Sequence, residues 1–167
     1  DAKPVEEQPE IAFNHHDTEK LVADTGAIIN HGGSKAFYAP QPDFIQMPEK
    51  ADFKGTKDST PEQSYYGTLL HELCHWTGHK SRLDRKLIGR FGSNAYAFEE
   101  LIAETGSAFL AAMLGLEKEP TPDHAKYLNS WLEVLKTDKR AMMKAFGQAQ
   151  KAANFILESQ AQAMAAE

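Results

Sequence analysis

A chain with a single cysteine cannot form an internal disulfide, and this one has only Cys74. Stability must therefore come from a packed core, and a reducing, cytoplasmic setting is the default expectation. Excess positive charge is also missing. Eighteen Lys and Arg face twenty-four Asp and Glu, for a net charge of −6 and a pI near 5.6. That balance argues against a domain that grips nucleic acid, which needs a basic patch. No apolar run approaches the ~20 residues needed to span a membrane. The first ten residues are acidic and proline-containing, without a signal-peptide pattern. The chain starts at Asp1 rather than Met, which suggests a portion of a longer protein.

What is present is enough for one domain with a real core: 167 residues, 41% hydrophobic. Residues 1–12 read as a linker or tether, 13–160 as a single domain and 161–167 as a fraying tail. Asp17 or Thr18 can cap a short helix through Ala23, ended by Gly26. Ala27–His31 reads as a strand. Ala36–Tyr38 and Phe44–Met47 read as two more, paired through the Pro40–Asp43 turn. Thr121-Pro122 starts a helix reaching about Lys136, with Tyr127, Leu128, Trp131, Leu132 and Leu135 as its apolar face. Asp138 can cap a last helix through about Leu157. The fold class is α+β: a small antiparallel sheet packed on a mainly helical body.

The most informative segment is His71-Glu72-Leu73-Cys74-His75, an H-E-x-x-H pattern. Thr60-Pro61-Glu62-Gln63 upstream is a strong helix start, with a capping residue, proline at the first helical position and Gln63 to close a capping box. Tyr65, Tyr66, Leu69, Leu70, Leu73 and Trp76 then recur at helical spacing, and Gly78 is a plausible stop. Residues at i and i+4 share one helix face. Both imidazoles can thus reach one ion, with Glu72 beside it as a general base. Zinc lowers the pKa of a water to near ~7, which makes hydroxide available for peptide hydrolysis.

A third ligand is needed. The extended pattern H-E-x-x-H-x-x-G-x-x-H fails here, because Ser81 holds its last position and His79 comes too soon. The cluster Glu99-Glu100-Leu101-Ile102-Ala103-Glu104, on a helix from near Ser93 to Leu114 ended by Gly115, supplies the alternative. Glu100 is the first choice as ligand, with Glu99 and Glu104 open; another of these acids can hydrogen-bond a ligand histidine. Tyr96, His79 and Arg82 are candidates to contact substrate or steady an oxyanion. The bland readings are core histidines, a metal site without catalysis, and Cys74 and Trp76 as ordinary core. Lys80, Arg82, Arg85, Lys86 and Arg90 read most simply as a solvated basic loop.

The stretch from Tyr65 to His79, with Ser81-Arg82-Leu83-Asp84-Arg85 and Tyr96 to Glu104, resembles the C-terminal zincin-like domain of ArdC-type antirestriction proteins and TraC-type plasmid primases. Phe37-Tyr38-Ala39-Pro40, Asp43–Pro48, Tyr127-Leu128 and Trp131-Leu132 fit the same pattern, so the resemblance spans about residues 28 to 157. It implies a gluzincin-like zinc metallopeptidase in which Glu100 joins His71 and His75 on the metal and Glu104 supports the first histidine. Zinc is the expected ion, with manganese or another divalent ion as substitutes. A peptide or protein is the expected substrate. A single-strand DNA-binding domain is expected elsewhere in the full-length protein, and the Phe44–Met47 strand is a candidate to pair with substrate. The competing reading is a catalytically silent, metal-stabilised interaction module.

Overall fold

The computed structural model describes residues 13–55, 57, 59–85, 87, 93–116, 136 and 140–166. The elements run α1 (His15–Asp24), β1 (Ile28–His31), β2 (Phe37–Ala39), β3 (Phe44–Met47), a 3-10 turn (Lys50–Asp52), α2 (Pro61–Trp76), α3 (Asn94–Met113) and α4 (Ala141–Ala166). The helix expected from Thr121 to Lys136 and the Asp138 cap lie outside the described residues, apart from Lys136. The last helix runs well past Leu157, to Ala166.

The first three helices begin where the chain offers a cap. At α2 the Thr60 hydroxyl accepts from Gln63 N, and the Gln63 side chain answers Thr60 N, closing the capping box. The Ser93 hydroxyl accepts from Tyr96 N to open α3, and Gly115, at φ 68°, turns the chain out of it. The α1 cap is Asn14, rather than Asp17 or Thr18. Thr18 is fully buried, and its hydroxyl donates back to Asn14 O.

The sheet is mixed, not antiparallel. Its order is β1-β3-β2, with β1 parallel and β2 antiparallel to β3. The β2–β3 hairpin forms as the Pro40–Asp43 turn predicts, with Asp43 at φ 56°. β3 is therefore central, with both edges paired. This overturns Phe44–Met47 as the strand that accepts a substrate; the outer strands are β1 and β2.

α2 forms the middle of the core. Tyr66, Leu69, Leu70, Leu73 and Cys74 are at most 2% exposed and join Ile45 and Met47 of β3 with Ala103, Leu110, Ala152 and Ile156. Close packing is set by small residues. A Cβ on Gly106 of α3 would stand 2.9 Å from Cys74 Sγ of α2 and 3.3 Å from Ala149 O of α4. Cys74 and Trp76 are core, as the sequence suggests.

Candidate metal centre

The tight packing of α2 on α3 brings four acids and two imidazoles together. His71 and His75 stand one turn apart on α2, with rings 4.8 Å between centroids and nearly perpendicular. Their Nε2 atoms are 3.2 Å apart. Glu100 of α3 lies across from both, with Oε2 3.5 Å from His71 Nε2 and Oε1 3.3 Å from His75 Nε2. These three groups offer donor atoms within 4.8 Å of one another.

The spacing fits a cation. Two ligands on a tetrahedral ion, each bonded at ~2.1 Å, stand ~3.4 Å apart. The two Nε2 atoms, 3.2 Å apart, have that spacing, and each lies 3.3–3.5 Å from one of the two Glu100 oxygens. The outer ring nitrogens are held separately. His71 Nδ1 lies 3.3 Å from Glu104 Oε2, and His75 Nδ1 lies 3.2 Å from Glu99 Oε1. A proton held on each Nδ1 leaves an Nε2 lone pair on the inner side, as metal-ligating histidines require.

Glu72 is 8% exposed, and among the described residues its carboxylate has no hydrogen bond or ion pair. Its charge acts on both imidazoles, but a buried carboxylate without a hydrogen bond is costly unless it also faces water, an ion or a substrate.

The electrostatics follow from this crowding. Burial pulls both imidazoles down, but their facing carboxylates outweigh it. Glu100 and Glu104 raise His71, and Glu100 and Glu99 raise His75 to about 10. Burial pushes the acids up, yet His71 and His75 hold Glu100 below the ordinary carboxylate range, and His75 and Arg85 do the same for Glu99.

Three comparisons place the chain in a family. The family model of zincin-like metallopeptidases (MPTase-PolyVal) matches residues 16–148. The chain belongs to that family. It is 47% identical over 145 residues to the uncharacterised protein y4eC of Sinorhizobium fredii, covering 87% of this chain and 45% of that protein. It is 44% identical over 140 residues to a DNA primase TraC of Escherichia coli, covering 83% of this chain but 12% of the primase. Crystal structures of the antirestriction protein ArdC from plasmid R388 share the fold. The metal-free form has TM-score 0.76 and 44% identity, covering 92% of this chain and 53% of that one. The Mn(II)-bound form has TM-score 0.77 and 42% identity, covering 96% and 57%. The chain thus spans about half or less of the relatives it matches, and the zincin-like fold expected from sequence is the fold observed.

The remaining residues sort by contact. Tyr96 sits in the first turn of α3, one turn before Glu100 and on the same helix face. His79 is turned toward Ser81 Oγ, 2.7 Å from its Nδ1, and toward Asp43, 3.8 Å away. Arg82 is committed elsewhere. It stacks on Trp76 at 3.8 Å, donates to Trp76 O, and forks onto Asp43 with a further bond to Tyr38. Arg82 is thus a latch between the β2–β3 hairpin and the segment after α2.

Arg85 was not among the expected site residues, yet it grips Glu99 through Nε at 3.1 Å and NH2 at 2.8 Å. The solvated-loop reading is therefore wrong for Arg82 and Arg85, whose side chains are 10% and 6% exposed. Lys86 and Arg90 fall outside the described residues. Gly78, a helix stop in the sequence pattern, is the position that makes room for Arg85. α2 ends at Trp76 with Thr77 as its cap, and a Cβ at 78 would come within 2.9 Å of the Arg85 guanidinium. Among the described residues, no helix is long and apolar enough to cross a membrane.

Proposed function

We propose that this domain is a metal-dependent peptidase, and that it forms the C-terminal part of a larger antirestriction-type protein. His71, His75 and Glu100 would hold a divalent ion, zinc or manganese, leaving a coordination position open. One observation carries the reading: His71, His75 and Glu100 offer donor atoms within 4.8 Å of one another, and the buried Glu72, whose carboxylate makes no hydrogen bond or ion pair among the described residues, directly follows the first of them.

The chemistry the ion supplies when bound is Lewis acidity, which acidifies water and polarises a carbonyl oxygen. Glu72 takes the proton from the attacking water and returns it to the leaving amine. Glu104 and Glu99 keep His71 and His75 oriented, each holding one Nδ1 proton. Of the three residues considered for the developing oxyanion, Tyr96 is the best placed, because it shares the Glu100 face of α3 while Arg82 is committed to its latch. An extended peptide would pair with an outer strand. β2 is favoured, since Tyr38 meets Arg82 beside the His75 end of α2.

Support from outside the chain is the Mn(II)-bound form of ArdC, an antirestriction protein with the same fold. The substrate is a peptide or protein. The net charge of −6 leaves nucleic-acid binding to a domain elsewhere in the full-length protein. The alternative, a metal-stabilised module that cleaves nothing, has no use for Glu72. Metal-loaded wild type and Glu72→Gln, incubated with a proteome-derived peptide library, separate the two. Cleavage by the wild type alone supports the peptidase, whereas equal cleavage, or none by either, overturns it.

A further inference from the structure

We infer that Arg85 is a positioning residue for the metal centre, acting through Glu99 to fix the His75 ring with its Nε2 toward the ion. The inference rests on the metal-site reading above and extends it to the segment that follows α2.

The contacts form one chain. Arg85 Nε donates to Glu99 Oε2 at 3.1 Å, and NH2 donates to Oε1 at 2.8 Å, a two-pronged grip on the carboxylate. The same Oε1 stands 3.2 Å from His75 Nδ1. Glu99 is thereby pinned from one side and presents its oxygen to the imidazole on the other. Nδ1 and Nε2 belong to one rigid planar ring, so the acceptor that holds one aims the other.

Arg85 is itself fixed by the end of α2. NH2 donates to Cys74 O at 2.6 Å and NH1 to Thr77 Oγ1 at 2.8 Å. Cys74 O belongs to the last helical turn, where carbonyls lack helical partners and a cation is favoured. The backbone closes the clasp: Arg85 N donates to Gly78 O at 2.9 Å. Gly78 provides the room, since a Cβ there would stand 2.9 Å from NH2 and 3.1 Å from the guanidinium carbon.

The charge arrangement supplies the need. Glu72, Glu99, Glu100 and Glu104 surround two imidazoles, and mutual repulsion favours movement of whichever acid is unrestrained. A permanent cation on the outer, Nδ1 side of His75 holds Glu99 back from the ion position. A lysine would retain the charge without the fork that sets the carboxylate plane.

Calorimetric titration with Mn(II), on the whole chain, tests this. Arg85→Met is expected to bind Mn(II) ~10–100-fold more weakly than wild type, the usual loss when the partner of a ligand histidine is disturbed. Glu99→Gln should weaken binding comparably. The double variant should lose no more than about threefold beyond the weaker single one, because both changes break one chain of contacts. Arg85→Lys should recover part of the affinity. Melting in chelator reports the fold separately from the ion. Arg85→Met with wild-type affinity, or losses that multiply in the double variant, would overturn the inference. If Arg85→Met does not fold, Arg85→Lys decides: a loss of at least about threefold supports the role, and unchanged affinity refutes it. A wild-type chain that binds no Mn(II) defeats the metal reading itself. A wild type that binds, beside an Arg85 variant that binds equally well, defeats only the role of Arg85.

Discussion

His71 Nε2 and His75 Nε2 face each other across 3.2 Å, from consecutive turns of one helix. Two lone pairs at that distance repel unless a proton or a cation lies between or beside them. In the metal-free protein the surrounding carboxylates make protons the occupants, with His75 raised to about 10. An ion must displace them. We expect Mn(II) binding near pH 7 to release protons, and the apparent affinity to rise with pH. Titration in buffers of different ionisation enthalpy measures the number released. A value of zero would contradict the arrangement.

The same groups set the pH dependence of the metal-free fold. His71 and His75 are raised from 6.5, so their contribution is complete below 6.5 and is lost as pH climbs through their raised values, about 10 for His75. Glu99 and Glu100 are lowered from 4.5, so theirs is present above 4.5 and is lost in acid. Melting temperature in chelator should therefore peak between about 4.5 and 6.5 and decline on both sides. Saturating Mn(II) should reverse the alkaline decline. Thermal melts from pH 4 to 10, with and without the ion, check both signs.

Glu104 contacts His71 on the side away from Glu100. Glu104→Ala should weaken metal binding by ~10–100-fold. Glu104→Gln keeps an acceptor for Nδ1–H and should lose less. Equal losses in the two variants would show that the charge matters rather than the hydrogen bond.

Helix packing has its own test at Gly106. Adding a Cβ 2.9 Å from Cys74 Sγ should make Gly106→Ala destabilising by ~1–3 kcal/mol in urea melts, despite the better helix propensity of alanine. In a Cys74→Ala background the same change should cost less than half as much. Equal costs in the two backgrounds would mean that the sulfur does not set the helix spacing.

Legibility in the sequence followed the range of the interaction. α2 and α3 could be read almost to the residue, because Thr60, Gln63, Ser93 and Gly115 act within a turn of the backbone they terminate. The pairing of His71 with His75 follows from helix geometry alone, and the family resemblance assigned Glu100 and Glu104. The parallel placement of β1 against β3 was not readable, since no local turn encodes it and β2 lies between the two in the chain. Arg82 and Arg85 were misread for a related reason. A short basic run resembles solvated surface until Asp43, 39 residues upstream, and Glu99, 14 downstream, are brought beside it.

The most direct test is a crystal of this chain grown with Mn(II) and measured for anomalous scattering. A single strong peak ~2.1 Å from His71 Nε2, His75 Nε2 and a Glu100 oxygen, with Glu72 nearby but unbonded, is the expected result. A peak elsewhere, or a fourth side chain completing the coordination, would contradict it.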